Sequence, residues 1–185
     1  MSEPAAIEPD TKDWTWVLER PCPECGFDAA TVSDDAIGAR IRQNAVGWQQ
    51  VLAAPEAATR PRPSVWSPTE YACHVRDVHR VFGGRLSLML GRDDPQFADW
   101  DQDDTAVAER YDLQLPDQVA PELADEAERV AASYDAVPAD AWQRAGTRSN
   151  GSRFTVATLG RYHLHDVEHH LWDVRWVHEA DRGGA

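Results

Sequence analysis

The chain has 185 residues, 42% of them apolar and 27% charged, with a formal net charge of -14, a length that suits one domain with a full hydrophobic core. The acidic balance excludes the lysine- and arginine-rich surfaces that neutralise nucleic-acid phosphates or anionic lipid headgroups, so neither nucleic acid nor a membrane surface is an expected partner. No apolar run approaches the length of a bilayer span, and residues 1–13 are polar and acidic, unlike a secretory leader, so a cytoplasmic location is the expectation.

Residues 1–32 read as an N-terminal extension that carries Pro21-Cys22-Pro23-Glu24-Cys25-Gly26. This spacing is half of a zinc knuckle, or a redox pair, or a proline-stiffened turn. A closed zinc site needs two more ligands, and the sequence holds no second CxxC. The third cysteine, Cys73, leaves an odd count, which in a reducing compartment means free thiols rather than a disulfide framework.

The bundle proper is expected over 33–180, with 181–185 a tail. Prolines divide it into proline-free windows at 24–54, 69–94, 122–137 and 139–185, each with one helical pattern. In the first, Ser33 is the expected N-cap, and Ile37, Ile41, Ala45, Trp48 and Leu52 recur at helical spacing. In the second, Ser67-Pro68-Thr69-Glu70 reads as a capping box with proline at the first helical position, and the helix stops at Gly91. The acidic connection 93–116 should hold a short helix near Thr105 to Arg110, because a structureless loop of that length is uncommon. In the third window Leu123, Ala127, Val130, Ala131, Tyr134 and Val137 form one stripe; 145–153 reads as a loop. In the fourth, Thr155 caps a helix running to about Glu179. No window alternates, so no sheet is expected. The fold class is all-α, a four-helix bundle.

Five of the seven histidines lie in the last window, between His163 and His178. Two pairs at i, i+4 can each present two ligands on one helix face: His165 with His169, and Asp166 with His170. The aliphatic stripe of this helix centres near Val167 and Val174; at about 100° per residue His170 lies roughly 50° from it and Asp166 roughly 90°. His165 and His169 lie on the other side with Trp172 and Trp176. The interior of a bundle is where helices converge on a metal, which favours Asp166 and His170. A third ligand should come from another helix, and His74 shares an inward face with Tyr71, Val78 and Phe82, whereas His79 falls off it. Three N/O ligands describe a catalytic type of site. Glu168, Asp173 and Asp77 are candidates to orient those ligands. Arg85 lies near the His74 face, where it can hold an anionic group of a small-molecule substrate or pair with a buried Asp. No serine-histidine-aspartate order, phosphate-binding glycine loop or dinucleotide fingerprint is present.

His74 in the second helix, and in the last helix Asp166 and His170 followed three residues later by Asp173, resemble the motif of the DinB-like superfamily, which includes mycothiol-dependent maleylpyruvate isomerases and bacterial thiol S-transferases. The resemblance covers about 33–179. It implies a four-helix bundle with a long connection between helices two and three, and a divalent metal, zinc or nickel, held by three side chains: His74, Asp166 and His170. It also implies mycothiol as a possible co-substrate. Most members carry His where this chain has Asp166, and the isomerase branch carries an acidic residue. Aligning His165 and His169 restores three histidines but spoils the spacing to Asp173. The alternative to an enzyme is a non-catalytic, stress-associated binding module, homodimeric through Trp172 and Trp176.

Overall fold

The computed structural model describes residue 7 and residues 12–182, with side chains of the last helix to Trp176. Most of the polar N-terminal stretch (1–6 and 8–11) and the side chains from Val177 onward, the tail included, fall outside the description, although the helix backbone continues to Arg182. Four long helices dominate: α1 (Ile37–Leu52), α2 (Pro68–Gly91), α4 (Pro116–Asp135) and α5 (Val156–Arg182), with a shorter α3 (Gln102–Ala108) between α2 and α4. α1 packs on α4 and α5, and α2 packs on α4 and α5, so the order round the bundle is α1, α4, α2, α5.

The helices begin where their local chemistry directs. The Ser67 hydroxyl accepts from the Glu70 amide at 3.2 Å, and the Glu70 carboxylate accepts from the Ser67 amide at 2.8 Å, so two otherwise orphaned donors are satisfied at the start of α2. At α5, Thr155 and Thr158 exchange amide-to-hydroxyl bonds of 2.8 and 3.1 Å. Ser33 caps no helix directly. Its hydroxyl turns to Asp35, a 3-10 turn over Asp34–Ala36 intervenes, and α1 starts at Ile37.

The apolar stripes read from the sequence are the core. Ile37, Ile41, Trp48, Leu123, Tyr134, Leu159 and Leu164 are all buried. α1 and α4 approach closely at Gly38, where an added Cβ would lie 2.9 Å from the Ala131 carbonyl oxygen.

Three further expectations need correction. α4 starts at Pro116, six residues before its expected window, and runs through Pro121. The ring costs one hydrogen bond near the helix start, and the buried Val119 and Leu123 on either side hold the turn against the core. The short helix α3 sits a few residues earlier than expected, capped by Asp101, whose carboxylate accepts from the Asp103 and Asp104 amides. And a small sheet exists: β1 (Gln96–Phe97) pairs parallel with β2 (Ala145–Arg148), which pairs antiparallel with β3 (Arg153–Thr155). The strands are too short to show alternation, and part of the expected 145–153 loop is their hairpin. β3 runs directly into α5.

Residues 14–32 carry only 3-10 turns, yet Val17, Cys22, Phe27, Ala29 and Val32 are buried and the segment lies against α5. No helix among the described residues is long and apolar enough to cross a membrane.

Candidate metal centre

His74 sits in the second turn of α2 and is fully buried; Asp166 and His170 face it from α5 with 24% and 18% of their side-chain surfaces open. One ligand atom from each of the three lies within 4.8 Å of the others. His74 Nε2 is 3.4 Å from Asp166 Oδ1, and His170 Nε2 is 3.7 Å from the same oxygen. Both ring nitrogens of His74 and Asp166 Oδ1 are buried without a hydrogen-bond partner, a costly arrangement that a shared cation would relieve. Burial pushes the His74 imidazole below its ordinary pKa. Burial alone would raise the Asp166 carboxyl, but the imidazoles of His74 and His170 hold it well below the usual carboxylate range. Neutral imidazoles and an ionised carboxylate are the forms that ligate metals.

Aromatic rings wall the centre. Trp100 stacks on His74 at 5.4 Å between centroids with 7° between planes, and Trp66 lies 5.6 Å from the same ring. Tyr71 packs against His170 at 5.4 Å. Trp66 and Trp100 come from the connections flanking α2, where no periodicity could single them out from the other tryptophans.

Of the three carboxylates expected to orient ligands, one does. Asp173 Oδ2 lies 3.3 Å from His170 Nδ1, which leaves Nε2 facing Asp166. Glu168 instead makes a bidentate pair with Arg40, at 2.9 and 2.7 Å. Asp77 is held by Arg76 and Arg80 and accepts from the Tyr111 hydroxyl at 2.5 Å. His79 lies off the His74 face and pairs with His163 at 2.9 Å. Cys73 is buried with its thiol 3.3 Å from Gln114 Oε1.

Arg85 is buried, with Phe82 and Phe97 rings each 5.2 Å from its guanidinium carbon. Its side chain donates to the Ala98 carbonyl at 3.2 Å, and no carboxylate lies within 4.0 Å among the described residues. Burial and the nearby charge of Arg148 both depress its pKa. Arg148, also buried, comes from β2, a strand the sequence did not disclose; its nearest carboxylate is Asp99, at 3.6 Å.

The rival pair, His165 and His169, faces the other way. Both histidines are buried beneath residues 14–27, where their nitrogens approach Cys22 and Cys25. Burial pushes His165 down to about 4 and the Cys25 thiol up to about 12. The two i, i+4 pairs of α5 therefore take part in two different clusters, and neither displaces the other.

The fold is similar to that of YfiT from Bacillus subtilis, described as a probable metal-dependent hydrolase with an unusual four-helix bundle topology. The TM-score is 0.72 at 16% identity, over 82% of this chain and 90% of that one. No curated protein matches the chain. The family model of the DinB superfamily matches residues 37–174, from the first residue of α1 to the buried Val174 of α5, and so takes in all four long helices and all three residues of the centre. The chain belongs to the DinB superfamily.

Proposed function

We propose that the chain is a divalent-metal-dependent enzyme in which His74, Asp166 and His170 hold zinc or nickel. We propose further that it transfers or isomerises a thiol adduct, with mycothiol as co-substrate. The observation that carries this reading is the convergence of three N/O donors from two helices, with both His74 ring nitrogens and Asp166 Oδ1 buried and outside hydrogen-bond geometry. Two imidazoles and a carboxylate suit zinc or nickel. Three protein ligands, two of them partly open to solvent, belong to sites where substrate completes the coordination. A bound divalent ion supplies Lewis acidity and lowers the pKa of a coordinated thiol or water.

The remaining roles fall to the chain itself. Asp173 fixes the His170 ring through Nδ1. Trp66 and Trp100 hold the His74 ring and keep water from its inner side. Arg85 and Arg148 form a buried cationic region, close enough to the centre for Asp166 to act on Arg85. A guanidinium without a close carboxylate suits the anionic end of a small substrate, such as a thiol cofactor's carboxylate or the acid it acts on. YfiT is described as a probable metal-dependent hydrolase; a hydrolytic reaction at such a centre would take water, not a thiol, as nucleophile.

The test is elemental analysis of the purified protein beside His74→Ala, Asp166→Ala and His170→Ala, followed by turnover with and without added thiol. Each variant should lose one equivalent of metal relative to the parent, and turnover should require the thiol. Metal content indifferent to His74→Ala overturns the ligand set, and thiol-independent hydrolysis overturns the thiol chemistry.

A second reading, a non-catalytic homodimeric module, rests on Trp176, which is 59% exposed and stacks on Trp172 at 5.8 Å. Light scattering on the parent and Trp176→Ala tests it: a monomer unaffected by the substitution removes that interface.

A further inference from the structure

We propose that Cys22, Cys25, His165 and His169 form a second metal site, a closed structural zinc site that fastens residues 14–27 to α5. One ligand atom from each residue lies within 4.8 Å of all the others. Cys22 Sγ is 3.8 Å from His169 Nδ1. Tetrahedral zinc, with Zn–S near 2.3 Å and Zn–N near 2.0–2.1 Å, sets sulfur and nitrogen about 3.6 Å apart. This pair therefore stands close to its coordinated separation, with the other donors within 4.8 Å.

Local structure explains how the two halves come together. The cysteine turn is closed by Gly26 donating to the Cys22 carbonyl at 3.0 Å and by Cys22 donating to the Phe27 carbonyl at 2.8 Å. Gly26 has φ +75°, a conformation that costs a side chain dearly, and it lets the chain reverse straight after Cys25. Pro21 and Pro23 stiffen the approach. On α5 the spacing of four residues stacks His165 above His169, their rings 5.1 Å apart.

The surroundings are those of a structural site. Cys22 and His165 are 2% exposed and His169 6%. Trp14 covers both imidazoles, at 5.4 and 5.0 Å, and Phe27 closes the side at 5.5 Å. His165 Nε2 is buried without a hydrogen-bond partner. His169 turns Nδ1 to the Cys22 sulfur and Nε2 toward Glu24 at 3.4 Å and Asp173 at 3.7 Å, the carboxylate–histidine arrangement that fixes a metal-bound ring. Four protein ligands leave no position for substrate, in contrast to the three of the His74 centre. Two thiolates neutralise a divalent zinc, and their softness selects zinc over magnesium or calcium. The segment it secures has no long helix of its own, so metal binding and the docking of this segment are one event.

The test uses the full chain purified with zinc. X-ray absorption on the parent should show sulfur in the zinc shell, with two equivalents of zinc per chain, and a mercurial thiol reagent should release one of them. Cobalt-loaded protein should show thiolate charge-transfer bands. Cys22→Ser and Cys25→Ser should each lose the sulfur-bound equivalent, whereas His74→Ala should retain it, so failure of the His74 centre and failure of this site give different results. Should the cysteine variants not fold, the spectra of the parent decide. A zinc shell without sulfur, or cysteines that react freely in zinc-loaded protein while releasing no metal, overturns the proposal.

Discussion

Among the described residues, the Asp173 carboxylate reaches a histidine of each α5 cluster, His170 and His169, and its replacement should separate the two centres. Its Oδ2 is 3.3 Å from His170 Nδ1 and its Oδ1 is 3.7 Å from His169 Nε2. Asp173→Ala removes the partner that orients His170, and loss of such a partner weakens metal binding by about 10- to 100-fold, or roughly 1.4–2.7 kcal/mol. His169 is better protected, because Glu24 lies 3.4 Å from the same nitrogen, so the cysteine–histidine site should weaken by less than about 10-fold. Asp173→Asn is the sharper variant. An amide offers one acceptor where the carboxylate offers two, so it can still accept from one of the two imidazoles. The shorter contact is to His170, and binding there should recover in part. The assay is competition with a chromophoric chelator, the two zinc equivalents being separated by thiol-reagent release. Unchanged affinity at the His170 centre, or an equal fall at both sites in Asp173→Ala, would refute the reasoning.

Other perturbations probe the scaffold. Gly38→Ala places a methyl group against the Ala131 carbonyl of α4 and the Asp135 side chain. It should destabilise the fold by about 1–3 kcal/mol in urea unfolding, since the backbone opposite cannot step aside. Ser67→Ala deletes a buried N-cap of α2 and should cost about 1 kcal/mol in the same measurement. His79 is pushed by burial down to about 4, against an ordinary value of 6.5. Between those values the unfolded chain takes up a proton that the folded chain refuses, so stability falls as pH drops. From pH 7 to 5 the parent should lose roughly 2 kcal/mol more than His79→Gln; parallel pH profiles for the two would remove this role for His79.

Most of the bundle was legible because long helices repeat their apolar residues every three or four positions. The stripes of α1, α2, α4 and α5 are the buried core, and the Ser67 cap works as its residues suggest. What escaped were features with no period to read. The strands run two to four residues, too short for alternation, and they bring Arg148 inward beside Arg85. Pro121 was taken for a boundary, although packing of Val119 and Leu123 holds the helix through it. Trp66 and Trp100 reach His74 from connections, and only tertiary structure could pick them out. The segment 14–32 carries no amphipathic pattern, so nothing in its sequence showed that it covers α5.

That last omission decided how the histidines were read. With one face of α5 turned to the bundle interior and no partner known for the other beyond Trp172 and Trp176, the two i, i+4 pairs look like rivals for one metal. The pairs are offset by one residue, which is about 100° round the helix; His165 and His169 are buried and Asp166 and His170 half-buried. A single helix can then serve two sets of partners. On one side the pair that includes an aspartate meets one histidine from α2, and three N/O donors leave room for substrate. On the other, two histidines meet two cysteines and leave none. Ligand number and softness thus divide the α5 histidines into a proposed reactive centre and a proposed structural one, with Asp173 between them as the point where a change in one can be felt by the other.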